Sequence, residues 1–214
     1  EKEFKMTGIS ATTVLVTGGA GYIGSHTVKE LRQNNFNVVV YDNLSTGHKE
    51  AVLGATLVVA DLNDKAKLEE TILKYKITAV VHFAGSIIVP ESVENPIKYY
   101  LNNTVNSANL LDLCQKYKIS NFIFSSTASL YGMLDVSPLD EDFDLKPINP
   151  YAQSKLMTEL MLKDLSQANK EFKYVALRYF NVSGADPDGE LGQAFIGATH
   201  LIKVNCEAAA GKRA

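Results

Sequence analysis

With 214 residues, 46% of them hydrophobic and 21% charged, and a formal net charge of −3, the sequence has the makeup of a soluble globular chain of one large or two small domains. That mild acidity gives no electrostatic case for binding nucleic acid or an anionic membrane. The longest apolar runs, such as ITAVVHFAG, fall far short of the roughly 20 residues that cross a bilayer, so no membrane partner is expected.

Two cysteines, Cys114 and Cys206, are too few for a disulfide framework and imply a reducing cytoplasm. The four histidines, His26, His48, His82 and His200, are scattered; each reads as structural, and no metal site is predicted.

Taken in chain order, the opening EKEFKMTGIS is charged and polar with no signal-peptide core, and residues 1–11 read as an N-terminal extension. Short β-branched runs then recur: TVLVT (13–17), NVVVY (37–41), TLVVA (56–60), AVVHFA (79–84), NFIFSS (121–126) and YVALRY (174–179). They are continuously apolar rather than alternating, which predicts parallel strands covered on both faces. Helical patterns lie between them, clearest in LEETILKYK, IKYYLNNTVNSANLLDLCQKYK and PYAQSKLMTELMLKDLSQ. The alternation predicts an α/β fold, a doubly wound parallel sheet with helices on both faces. After Phe180 the texture changes to the loop-like NVSGADPDGELGQ, followed by one helix in THLIKVNCEAAAGK.

Where the first strand hands over to a helix, the spacing is Gly18-x-x-Gly21-x-x-Gly24. Glycine permits positive φ and, lacking Cβ, lets the backbone approach a ligand. The helix beginning near Tyr22 directs unpaired N–H groups at an anion, so in a βαβ unit the loop is a pyrophosphate cradle of Rossmann type. Asp42 closes the next strand 18 residues after Gly24, where a carboxylate takes the hydroxyls of an adenosine ribose. A carboxylate there repels a 2′-phosphate, and DNLSTG holds no arginine to receive one, which favours NAD over NADP. Asp61, at the end of the third strand, reads equally as a residue near the adenine or as an acid at the start of the following helix.

Tyr151 and Lys155 stand four residues apart on one helix face behind Pro150. A phenol is too weak a base at neutral pH, and an ammonium one turn away, with the positive charge of an oxidised nicotinamide, is expected to lower its pKa. In FSSTASLYG, at the end of a predicted central strand, Thr127, Ser125 and Ser126 are candidates to hold a substrate oxygen beside Tyr151; the plain alternative is that these hydroxyls cap the strand end.

Together TGGAGYIGSH, YDNLSTGH, ADLND, HFAG, VPESVENPIKYYLNNTVNSANLL, FSSTASLYG, NPYAQSK and LRYFNVSGADPDGELG resemble the extended short-chain dehydrogenase/reductases, and within them the UDP-glucose (UDP-galactose) 4-epimerase family, over nearly all of residues 13–213. The resemblance implies Tyr151 as proton acceptor, Lys155 as its partner and Thr127 as the hydroxyl beside the sugar 4-OH. It implies NAD contacts from Tyr22 and Ile23, from Asp42, Asn43, Leu44, Ser45, Thr46 and Gly47, from Asp61 and Leu62, from Phe83, Ala84, Gly85, Ser86 and Ile87, and from Asn102 and Phe180. Asn181 is implied as a substrate contact. The well-known bacterial form has a cofactor-binding lysine at the position of Ile87, so that contact departs from the pattern.

Family chains continue well past this point. Residues 12–180 then form the NAD-binding domain, and 181–214 begin a substrate-binding region that is incomplete here. The implied reaction is reversible inversion at C4 of a UDP-hexose through a 4-keto sugar, with a homodimer formed through the helices of 97–118 and 150–167. Within the superfamily the alternative is a nucleotide-sugar 4,6-dehydratase or decarboxylase, against which stands the lack of an Asp-Glu pair after Thr127. A non-catalytic NAD-binding protein is the alternative of another class, against which stand the intact Thr127, Tyr151 and Lys155.

Overall fold

A computed structural model describes residues 12–134, 137–195 and 197–213; the expected extension 1–11 lies outside the described residues. Six strands form one parallel sheet: β1 (Thr13–Thr17), β2 (Asn37–Asp42), β3 (Thr56–Val59), β4 (Ala79–His82), β5 (Asn121–Ser125) and β6 (Lys173–Leu177). Their spatial order is β3-β2-β1-β4-β5-β6. In register, Val14 stands beside both Val38 and Ala79. The predicted strands and the doubly wound architecture are thus both present.

Helix α1 (Tyr22–Gln33) covers one face, where Val28 packs with Val14, Val16, Val38, Val40 and Val81. The other face carries three helices: α2 (Lys65–Tyr75), the last part of a longer helical run (α3, Val89–Glu94; α4, Pro96–Tyr99; α5, Asn106–Lys116), and α6 (Pro150–Ala168). Leu68, Ile72, Leu110, Leu113 and Leu162 from these helices bury against Leu15, Val80, Phe122 and Phe124. Asp64 caps α2 by accepting from Lys67 N (2.9 Å).

Two expectations need correction. Strands β5 and β6 are not covered on both faces: Ile123 and Val175, in register with Val81 of the α1-side cluster, and Leu177 stay 39–52% exposed on the α1 face, beyond the part that α1 covers. The segment 97–118 is not a uniform α-helix either, since Tyr100–Val105 winds as a π-helical stretch between α4 and α5. Beyond β6, α7 (Leu201–Ala209) buries none of its residues. Among the described residues no helix is long and apolar enough to cross a membrane.

Candidate active site

The strand order reverses direction between β1 and β4, the place where open α/β sheets bind ligands at their carboxyl ends. A cleft of about 1910 Å³ opens there. Every residue expected above to meet cofactor or substrate lines it, except Leu44 and Gly47. Leu44 packs on the valine cluster, and a Cβ on Gly47 would lie 2.9 Å from Ala20.

The glycine loop is a turn that side chains would obstruct. Gly18 has φ +70°, and a Cβ there would lie 2.6 Å from Ala84 N. A Cβ on Gly24 would lie 2.2 Å from Gly18 O. Gly21 is the N-cap of α1 and no side chain caps it, so the first N–H groups of α1 have no partner within the helix. Asp42, 8% exposed, accepts from Ala20 N (3.0 Å) and Leu44 N (2.8 Å), which braces the loop and leaves each oxygen a further lone pair. The two readings of Asp61 separate here: Asp64, not Asp61, caps α2, while Asp61 faces the cleft and accepts from Asn43 Nδ2 (2.7 Å).

At the far end of the cleft, Asn149 caps α6 through Ala152 N (2.8 Å), with Pro150 as the first helical residue. Tyr151 and Lys155 follow one turn apart and both line the cleft. Lys155 is 3% exposed and donates from Nζ to Ser125 O (2.9 Å). Burial holds its pKa down at about 8. The expected lowering at Tyr151 is not what the packing of the chain produces. Burial raises the phenol and outweighs the hydrogen bond with Thr127, which works the other way, and the Lys155 ammonium is directed at the Ser125 carbonyl.

Thr127 caps the short helical turn Ala128–Tyr131 by accepting from Ser129 N (3.1 Å) while also lining the cleft, so its capping and site readings coexist. Ser125 and Ser126 are committed elsewhere: the first bonds the Tyr179 hydroxyl, the second donates to the buried Glu159. Phe180, 75% exposed, and Asn181 form the opposite lip.

Sequence reasoning missed Asn103. Its amide accepts from Ser86 N (2.8 Å) and donates to Ser86 O (3.0 Å) and Ser154 Oγ (3.0 Å), clamping the 83–87 turn to α6 beside Lys155. The neighbouring Asn102 donates to Ser86 Oγ (2.9 Å). Tyr99 was also missed: its hydroxyl donates to Ile88 O (2.6 Å), and its ring stands edge-on to Tyr151 with centroids 6.4 Å apart. Only a doubled asparagine beside a doubled tyrosine, unusual inside a helix, hinted at either. His82, fully buried between Thr17 Oγ1 (2.6 Å) and Ser107 Oγ (2.9 Å), is a structural link held neutral by burial, its pKa near 3.

Residues 14–205 match the model of the NAD dependent epimerase/dehydratase family. The chain belongs to that family. As an epimerase/dehydratase member it is 51% identical to the UDP-glucose 4-epimerase of Azospirillum brasilense over 94% of its own length and 58% of that relative's. Its fold superposes on the crystal structure of UDP-glucose 4-epimerase from Brucella ovis in complex with NAD, with a TM-score of 0.91, 51% identity, and 94% and 62% of the two chains covered. The Bifidobacterium longum enzyme in complex with NAD+ and UDP gives a TM-score of 0.89 at 36% identity, covering 94% and 63%. The chain thus spans about three fifths of the length of these relatives. NAD is the cofactor of this epimerase/dehydratase family, and the residues present fit it: a glycine cradle that a Cβ would fill, an uncapped helix N-terminus above it, and a carboxylate at the end of β2.

Proposed function

We propose that this chain carries the cofactor-binding and catalytic residues of a UDP-hexose 4-epimerase. The observation that carries the reading is that Thr127, Tyr151 and Lys155 share one cleft with the glycine cradle, in a fold 51% identical to a UDP-glucose 4-epimerase.

Bound in this cleft, NAD supplies the reversible hydride acceptor that makes C4 of the sugar a ketone and then an alcohol of either configuration. Gly18, Gly21 and Gly24 with the start of α1 would hold its pyrophosphate, Asp42 would take the adenosine ribose, Asp61 and Leu62 would serve the adenine end, and Phe83–Ile87, Asn102 and Phe180, which line the same cleft, would hold the rest. Tyr151 accepts the 4-OH proton and returns it, so no proton is lost over a cycle. Thr127 orients the sugar oxygen by hydrogen bond. Lys155, charged below its pKa of about 8, favours the phenolate once ligand excludes water. Asn181 meets the substrate from the opposite lip. The side chains following Thr127 are Ala128 and Ser129, without the acid pair that elimination of water requires, which disfavours a dehydratase.

The working form in this reading is a cytoplasmic homodimer. Ile97, Leu101 and Val105 recur at intervals of four and are 45–63% exposed, with Val93 at 62% and Leu160 on α6 at 48%. Such an apolar stripe across two neighbouring helices suits a partner's matching pair.

The deciding experiment takes the full-length protein, measures the nucleotide released on denaturation, and follows conversion of UDP-galactose to UDP-glucose. Near-stoichiometric NAD with turnover is expected. NAD without turnover on any UDP-hexose would sink the epimerase reading and favour a non-catalytic binder.

A further inference from the structure

Glu159 sits one turn beyond Lys155 and two beyond Tyr151, on the same helix, yet it does not line the cleft. It is 7% exposed and accepts from Ser126 Oγ, from Arg178 Nε (3.1 Å) and from Arg178 Nη2 (2.7 Å). Arg178, just past β6, also donates from Nη1 to the Tyr131 hydroxyl (3.1 Å) and to Glu141 O (3.3 Å), with its guanidinium 5.3 Å from the Tyr131 ring centre. Ser126 directly precedes Thr127, and Tyr131 ends the helical turn that Thr127 caps. The ion pair therefore grips the chain on both sides of Thr127 and ties it to the helix that carries Tyr151.

An ion pair with its carboxylate buried and its arginine side chain only 19% exposed is a poor device for stability alone, because the cost of desolvation offsets much of the attraction and well-packed apolar side chains hold helices as well or better. What a planar fork adds is a single permitted geometry. We infer that Glu159 and Arg178 are positioning residues: acting through Ser126 and Tyr131, without touching substrate, they set where the Thr127 hydroxyl stands relative to Tyr151. This inference rests on the catalytic roles proposed above.

The test uses the full-length, NAD-loaded protein. Ser126→Ala removes only the link to Glu159 and leaves that carboxylate paired with Arg178; kcat is expected to fall about tenfold with KM within about twofold, and Ser126→Thr to restore it. Arg178→Lys keeps the charge but loses the fork, and a loss of about a hundredfold in kcat is expected with NAD retained. In a Thr127→Val background neither change should lower kcat further, whereas a merely structural role gives losses that multiply. Multiplied losses, or wild-type kcat in an Arg178→Lys protein that keeps its NAD, would overturn the inference. If the unmodified protein keeps NAD but turns over no UDP-hexose, the proposed reaction has failed instead. Crystal structures of wild type and Ser126→Ala then decide this point alone: a displaced Thr127 supports it and an unmoved Thr127 refutes it.

Discussion

Lys155 Nζ lies 2.9 Å from the carbonyl oxygen of Ser125, so the buried ammonium rests on strand β5 rather than on a carboxylate. Its charge is held at a cost to the fold, since burial brings its pKa from 10.5 to about 8.

A lysine whose charged form is disfavoured in the fold binds fewer protons there than in the unfolded chain, so its penalty is complete below pH 8 and fades as the pH rises to 10.5. Lys155→Met should therefore be more stable than wild type at neutral pH, by about 2 kcal/mol once the lost bond to Ser125 is subtracted. Thermal unfolding of both proteins without cofactor, from pH 6 to 11, reads the difference. A gap that widens with pH would contradict the assignment, and the stabilised variant should turn over no substrate.

Tyr151→Phe removes the proton acceptor and keeps the ring that packs edge-on to Tyr99. Turnover should fall by at least about a hundredfold while bound NAD is retained. Activity above a few per cent of wild type would mean that another group takes the proton.

Gly24→Ala places a methyl 2.2 Å from Gly18 O and 2.8 Å from Gly19 Cα, backbone that cannot yield without opening the cradle. The variant should lose about 1–3 kcal/mol of stability and release less than a tenth of the wild-type NAD on denaturation. Full NAD content would show that the loop does not hold the pyrophosphate.

Leu101→Glu sets a charge in the middle of the exposed apolar stripe. Because Leu101 is 57% exposed, the fold should change in stability by no more than about 0.5 kcal/mol. Light scattering of the full-length protein should give half the wild-type mass; an unchanged mass would place the subunit contact elsewhere.

Sequence pattern made the sheet legible because parallel strands announce themselves as β-branched runs, and it made the cradle legible because close backbone approach demands glycine at fixed offsets. Tyr151 and Lys155 were readable for the same reason, being tied by helical spacing. What stayed hidden is built from partners far apart in the chain. Asn103 looks like any helical asparagine until Ser86 and Ser154 meet it from either side. Glu159 and Arg178 are 19 residues apart, a separation with no helical or strand period to tie them. The opposing shifts of Lys155 and Tyr151 were missed because burial, which sets both, is a property of the packed core rather than of spacing.

The strand order has a consequence for how the molecule comes together. Strand β1 is central, and its β4 neighbour lies 65 residues downstream, as in the Val14–Ala79 pair. Contacts of such separation slow the search for the native state, because chain entropy is lost before they are gained. The floor of the cleft, where a Cβ on Gly18 would strike Ala84, exists only once that seam has closed. In refolding, capture of the dinucleotide should lag behind helix formation and coincide with completion of the sheet, making cofactor uptake a clock for the final assembly of the core.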